Sequence, residues 1–144
     1  LNELVQQVNG EFAERFEGRN LDLICILQPE PLLIRADSRR IWRVLENLYV
    51  NVCKYAMPGT RVYVDAIKKD GKIQLSIKNI SENPLNFQAD ELTERFIRGD
   101  VSRSTEGSGL GLSIAQNLTT IMGGTFEVTL DGDLFSVTIT FPLA

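Results

Sequence analysis

Two pairs of segments with alternating apolar residues, each pair joined by a short turn, constrain the fold of this chain most strongly. The first pair is Arg61–Lys68 and Lys72–Asn79, separated by Asp70-Gly71, and the second is Thr125–Leu130 and Leu134–Phe141. Apolar residues that recur with a period of two are typical of half-buried strands, and Asp-Gly between two such runs is a hairpin signal. The sequence therefore predicts two antiparallel hairpins.

Helical patterns precede and separate these hairpins. The predicted helices run from Leu1 to near Gly18, from a cap at Asp37 or Ser38 to Met57-Pro58-Gly59, and from Gly107 to about Met122, with Gly123-Gly124 ending the last. Short strands are predicted at Leu21–Leu27 and Leu32–Arg35, and a short helical piece at Ala89–Phe96 inside a long irregular region. Because helices and strands alternate, we expect a single α+β domain over residues 1–144, a two-layer sandwich of a mixed β-sheet packed on about three helices.

The composition excludes several function classes. The net charge is −4, which argues against sequence-independent binding of nucleic acid. The chain contains no histidine, so histidine acid–base chemistry, histidine metal ligands and a phosphohistidine within the chain are excluded. Cys25 and Cys53 lie in apolar stretches and are predicted to be buried thiols rather than a disulfide or a metal site. The chain starts at Leu1 rather than Met and is expected to be a piece of a longer protein.

The second predicted helix has an unusual polar face. Its apolar stripe is formed by Ile41, Val44, Leu45, Leu48 and Val52, and the other face carries Arg43, Asn47, Asn51 and Lys54. Asn is a poor residue for a helix interior because its side chain competes for backbone hydrogen bonds. Amide oxygens suit a hard cation such as Mg²⁺, and amide and ammonium groups suit phosphate. The face predicts a site for metal and phosphates, the alternative being a half-buried helix with two satisfied Asn.

The run Gly107-Ser108-Gly109-Leu110-Gly111 opens the third predicted helix. Glycines allow close approach of the backbone to a ligand, and a helix N-terminus carries a partial positive charge that favours phosphate. Taken alone, the same run is equally typical of a flexible hinge.

The two motifs together, N-L-x-x-N-x-x-K-Y and, further along, E-R-F-I-R and G-S-G-L-G-L-S-I, resemble the ATP-binding catalytic domain of bacterial sensor histidine kinases. These kinases belong to the superfamily that includes gyrase, Hsp90 and MutL, and the resemblance covers essentially the whole chain. It implies the Bergerat ATP-binding fold, ATP and Mg²⁺ as ligands, and transfer of the γ-phosphate to a histidine on a separate dimerisation domain of the same parent chain.

The resemblance also implies roles for individual residues. Asn51 is expected to coordinate Mg²⁺, Asn47 to support the metal and phosphates, and Lys54 to contact phosphate oxygens. The remaining expected contacts are Tyr55 and Asn79 beside the nucleotide, Phe96 in a lid, Arg98 and Arg103 as lid charges, and Gly107, Gly109, Leu110 and Gly111 at the phosphates. The two arginines are equally well interpreted as solvated surface residues.

One motif departs from the family pattern. Where the family has D-x-G-x-G after a strand, this chain reads Asn79-Ile80-Ser81-Glu82-Asn83. In the family the Asp accepts a hydrogen bond from the adenine amino group, and a neutral acceptor makes a bond roughly half as strong. Three consequences are open: weaker adenine recognition, which we favour, a degenerate nucleotide sensor, or an amide flip that donates to a guanine oxygen.

A further comparison with the superfamily distinguishes kinase from ATPase. Its hydrolases resemble one another in a Glu four residues before the metal-binding Asn, where this chain has Asn47. Glu46 is rotated by about 100° around the helix. We therefore expect a protein-histidine kinase domain that binds Mg-ATP but does not autophosphorylate in isolation. The alternatives are a regulatory or interaction module without phosphotransfer and a serine kinase of the anti-sigma-factor type.

The family also implies partners and a location. The expected partners are the dimerisation and phosphoacceptor domain of the same parent chain and a response regulator, with no nucleic acid. The chain itself is expected to be a monomer and a cytoplasmic domain, and its parent an integral protein of the plasma membrane.

Overall fold

The computed structural model describes residues 1–27, 32, 34, 36–82 and 110–142. The elements in chain order are α1 (Asn2–Gly18), β1 (Asp22–Leu27), α2 (Ser38–Tyr55), β2 (Arg61–Lys69), β3 (Lys72–Ile80), α3 (Leu110–Ile121), β4 (Thr125–Asp131) and β5 (Leu134–Pro142). Each matches a predicted element, with small differences at the ends. The predicted strand Leu32–Arg35 falls partly outside the described residues, and the predicted helical piece Ala89–Phe96 falls wholly outside them.

The sheet has five strands in the order β1-β2-β3-β5-β4. β1 pairs with β2 in parallel, and the other neighbours are antiparallel, so the predicted mixed sheet and both predicted hairpins are confirmed. At the first hairpin Lys69 pairs with Lys72, and the two residues between them have positive φ, 53° at Asp70 and 73° at Gly71. Positive φ at both central residues defines a type I′ turn, whose twist matches that of the strands it joins.

The core lies between the sheet and the helices. The predicted apolar stripe of α2 is confirmed, since all five of its residues are no more than 2% exposed. On β3, the residues Ile73, Leu75 and Ile77 form a buried row that faces the helices. These two surfaces hold α2 across the sheet, and α3 packs beside it.

Aromatic packing attaches α1 to α2. The ring of Tyr49 lies 5.5 Å from Phe12 and 5.7 Å from Phe16, and its hydroxyl donates a hydrogen bond to Asn9 Oδ1. Burial raises the pKa of Tyr49 above its ordinary value of 10.0. The N-terminal end of α1 is attached as well, because the backbone N–H of Leu32 donates to Asn2 Oδ1 at 2.8 Å.

Both cysteines are free, as predicted, but they are half-buried rather than buried. Burial raises the pKa of the Cys53 thiol, against the opposing effect of Arg15 and Arg19. Among the described helices, none is long and apolar enough to cross a bilayer.

Candidate functional site

The polar face of α2 runs from solvent into the interior. Arg43 is exposed, Asn47 and Lys54 are half-buried, and Asn51 is only 8% exposed. The Nδ2 atom of Asn47 donates to the backbone carbonyl of Arg43 at 2.8 Å. This bond orients the amide of Asn47 with one N–H toward the preceding turn and leaves its carbonyl oxygen able to accept a hydrogen bond or to ligate a cation.

No carboxylate shares this face. Glu46 is exposed and lies one position away from Asn47, on a different side of the helix. Within the described residues no group of three His, Cys, Asp or Glu side chains could hold a metal ion. A cation here would therefore be held by amide oxygens together with ligand oxygens and water, a set that suits Mg²⁺.

The C-terminal end of α2 is joined through the backbone to the end of β3. The N–H of Met57 donates to the carbonyl of Ile80 and the N–H of Glu82 donates to the carbonyl of Tyr55, both at 2.8 Å. Ala56 and Ser81 form an isolated antiparallel bridge between these two bonds. These bonds bring two predicted site elements together, the α2 motif that ends at Tyr55 and the strand that carries Asn79.

Asn79 occupies a position where the strand pattern calls for an apolar residue. It continues the helix-facing row of Ile73, Leu75 and Ile77, and it is 3% exposed. Its Oδ1 atom is buried and has no hydrogen-bond partner in the described part of the chain. Leaving such an acceptor unpaired costs about 1–3 kcal/mol, and buried polar atoms in native proteins almost always have partners. The position is therefore suited to a ligand that supplies a donor.

Arg19 was not predicted as part of this region. Its guanidinium donates to the carbonyl of Ala56 at 2.7 Å and lies 3.6 Å from the Glu82 carboxylate. It therefore connects the end of α1 to the junction of α2 and β3. The sequence gives no signal for this contact, because the acceptor is a backbone carbonyl and every residue has one.

The start of α3 is described from Leu110, where the backbone of Leu110 and Gly111 already belongs to the helix. The first N–H groups of a helix have no partner within it and carry a partial positive charge. The buried residues Leu112 and Ala115 hold this helix against the core. The other predicted contacts lie outside the described residues, namely Phe96, Arg98, Arg103, Gly107 and Gly109.

Comparison with known proteins gives the family. The family model described as "Histidine kinase-, DNA gyrase B-, and HSP90-like ATPase" matches residues 36–144. The signal transduction histidine-protein kinase BaeS of Escherichia coli is 31% identical over 123 residues, which cover 84% of this chain and 26% of BaeS. The chain thus spans about a quarter of the length of this relative.

Solved structures agree in fold over nearly the whole chain. The nucleotide-free catalytic domain of histidine kinase ThkA gives a TM-score of 0.84 at 26% identity and covers 99% of this chain and 92% of that one. ThkA has also been solved in complex with the response regulator protein TrrA, with a TM-score of 0.77 at 26% identity over 100% of this chain and 40% of that one. Full-length ShkA in complex with AMPPNP gives a TM-score of 0.80 at 25% identity and covers 99% of this chain and 30% of that one. The chain therefore belongs to the histidine kinase-, DNA gyrase B- and HSP90-like ATPase family, and its relatives BaeS and ThkA are histidine kinases.

Proposed function

We propose that residues 1–144 are the ATP-binding catalytic domain of a sensor histidine kinase, which binds Mg-ATP and donates the γ-phosphate to a histidine on a separate dimerisation domain. The observation that carries this proposal is the polar face of α2. There the buried amide of Asn51 lies one turn from Asn47 and beside Lys54, in a chain whose net charge of −4 would otherwise repel a nucleotide.

Each residue of this face has a distinct task. The carbonyl oxygen of Asn51 would hold Mg²⁺, with the oxygen of Asn47 as a second neutral acceptor, because the bond from Asn47 Nδ2 to the carbonyl of Arg43 orients that amide. Lys54 would place its ammonium at phosphate oxygens, and Tyr55 would pack beside the nucleotide. When bound, Mg²⁺ draws negative charge from the phosphate oxygens.

The site has the chemistry of a phosphotransferase rather than a hydrolase. Asn47 cannot accept a proton from water, and Glu46 lies on another side of α2. Catalysis of phosphoryl transfer depends mainly on positioning and on charge neutralisation, which amides, Lys54 and backbone N–H groups can supply. Since the chain has no histidine, the phosphoacceptor must lie elsewhere in the parent or in a partner.

The relatives support a setting for this activity. ThkA is described as a histidine kinase in complex with a response regulator, and ShkA is described in complex with the ATP analogue AMPPNP. By analogy, the partners of this chain are the phosphoacceptor domain of its own parent and a response regulator. We place it as a monomeric cytoplasmic domain of a parent that is an integral membrane protein.

Phosphotransfer is tested with γ-labelled ATP on this chain alone and on the parent protein. The chain alone should incorporate no label, whereas the parent should form an acid-labile phosphohistidine that is lost in Asn51→Ala. Asn117→Ala is a matched control, since Asn117 is also helical but exposed. Stoichiometric label on the chain alone would contradict the proposal.

A regulatory module that binds nucleotide without transferring phosphate is the second candidate. The observation that favours it is the amide of Asn79 at the position of the family's Asp. In that case the parent would bind ATP but form no phosphohistidine.

A further inference from the structure

The side chain of Asn79 can present either of two groups at one buried place. It lies opposite Phe135 in the β3–β5 register and follows Ile77 in the helix-facing row. An amide carries an acceptor and a donor on similar branches, and a half-turn about its last bond exchanges them with little change in shape. Its two neighbours in the sheet, Ile77 and Phe135, are apolar, so neither of them fixes one orientation of the amide.

Three of the backbone groups that follow Asn79 are already paired. The carbonyl of Ile80 accepts from Met57, the N–H of Ser81 donates to the carbonyl of Asp133, and the N–H of Glu82 donates to Tyr55. Two buried side-chain atoms lack a partner in the described part of the chain, Arg19 Nε and Asn79 Oδ1, and the second lies in the helix-facing row. In the helix-facing row, the amide of Asn79 is therefore the group whose hydrogen bonding a ligand can complete.

We propose that Asn79 makes the nucleotide site of this chain accept both 6-amino and 6-oxo purines. This inference rests on the proposed function, since it takes the ligand to be a purine nucleoside triphosphate. A 6-amino group donates to Oδ1 of Asn79, and a 6-oxo group accepts from Nδ2 after the half-turn. A carboxylate at the same place can only accept, so it would face the oxygen of a 6-oxo purine with a second oxygen and reject that base.

The test compares Mg-ATP with Mg-ITP by titration calorimetry on this chain. ITP is the appropriate probe because its base replaces the 6-amino group with an oxo group and adds no exocyclic substituent. We expect the two dissociation constants to agree within about tenfold, whereas Asn79→Asp should weaken ITP relative to ATP by about 100-fold, the scale set by an unpaired buried polar contact. ATP binding with ITP weaker by more than tenfold in the wild type would overturn the inference and leave the proposed function standing. Binding of neither nucleotide would overturn both.

A second variant guards against loss of folding in Asn79→Asp. Asn79→Leu extends the apolar row of Ile73, Leu75 and Ile77, so it should raise the melting temperature while weakening ATP and ITP by similar factors. If Asn79→Leu folds and leaves both affinities unchanged, Asn79 does not contact the base and the inference is wrong.

Discussion

At the scale of the residue, the candidate site is marked by single polar residues at positions where an apolar or strongly helix-forming residue is expected. Asn51 is buried on a helix, and Asn79 is buried on a strand in a row of aliphatic side chains. Each lowers the stability of the element that carries it, since Asn is unfavourable in helix interiors and an unpaired buried oxygen is costly. Residues of this kind persist where a ligand completes their hydrogen bonds.

Tyr49 should make the stability of the fold depend on pH in the alkaline range. Its folded-state pKa is raised by burial, so its contribution to stability is complete below its ordinary pKa of 10.0 and is lost as the pH rises above it. We expect Tyr49→Phe to cost about 1 kcal/mol at pH 8, through the lost bond to Asn9, and this cost to shrink by about 1 kcal/mol by pH 11. Urea unfolding at both pH values measures this, with Tyr63→Phe at an exposed tyrosine as the control. A cost that does not change with pH would contradict the prediction.

Arg19 should contribute more to the stability of the fold than its position at the surface suggests. Its guanidinium satisfies the carbonyl of Ala56 just after α2 and approaches Glu82, and its side chain is 34% exposed. We expect Arg19→Ala to lower the free energy of unfolding by about 1–2 kcal/mol, because a charge-assisted bond is removed at a partly exposed place. Arg39→Ala, at an exposed arginine in the first turn of α2, should change it by less than about 0.5 kcal/mol. Equal effects of the two substitutions in urea unfolding would show that the Arg19 contact is not stabilising.

The turns and helix ends determine how the elements join. α3 ends where Gly123 has φ +82° and Gly124 N–H donates to Thr119 O at 2.9 Å. A Cβ added at Gly124 would lie 2.7 Å from Phe141 Cε1 and 2.9 Å from Thr140 O, so the entry to β4 has no room for a side chain. Close packing of Gly124 against β5 thus fixes where the last hairpin begins.

Two glycine substitutions test this element-scale interpretation in opposite directions. Gly124→Ala should destabilise the fold by about 1–3 kcal/mol because the new methyl group overlaps β5. Gly10→Ala should stabilise it by about 0.5–1 kcal/mol, because Gly10 lies inside α1, where an added Cβ would meet nothing within 4 Å beyond its chain neighbours and the backbone of its own helix. Thermal unfolding of the two variants measures both effects, and a stabilised Gly124→Ala protein would contradict the close packing.

At the scale of the whole molecule, local sequence signals predict the individual helices and strands. They do not predict which of these elements pair or pack with one another. Asp70-Gly71 predicts the first hairpin because the type I′ turn needs positive φ at both residues. The parallel pairing of β1 with β2 was not predicted, because it joins strands far apart in the chain. The contacts of Arg19 with Ala56 and of Tyr49 with Asn9 also escaped prediction, since they depend on how α1 packs against α2 in the folded chain.

Part of the candidate site could likewise be predicted from the sequence, and part could not. The polar face of α2 follows from helical spacing, and the structure keeps it together. The junction of α2 with the end of β3 could not be predicted from spacing, because backbone bonds at Tyr55 and Ile80 create it. Asn79 was recognised through the resemblance to a family motif, but its unpaired oxygen became evident only in the folded chain.

The measurement that tests the central claim most directly is a thermal-shift titration with ATP, with and without Mg²⁺, on the wild type, Asn51→Ala and Asn117→Ala. Ligand at about 100 times its dissociation constant should add roughly 2.7 kcal/mol to the free energy of unfolding. We predict a shift of several degrees that requires Mg²⁺, persists in Asn117→Ala and is lost in Asn51→Ala. A shift of the same size in Asn51→Ala, or none in the wild type, would contradict a Mg-ATP site on the polar face of α2.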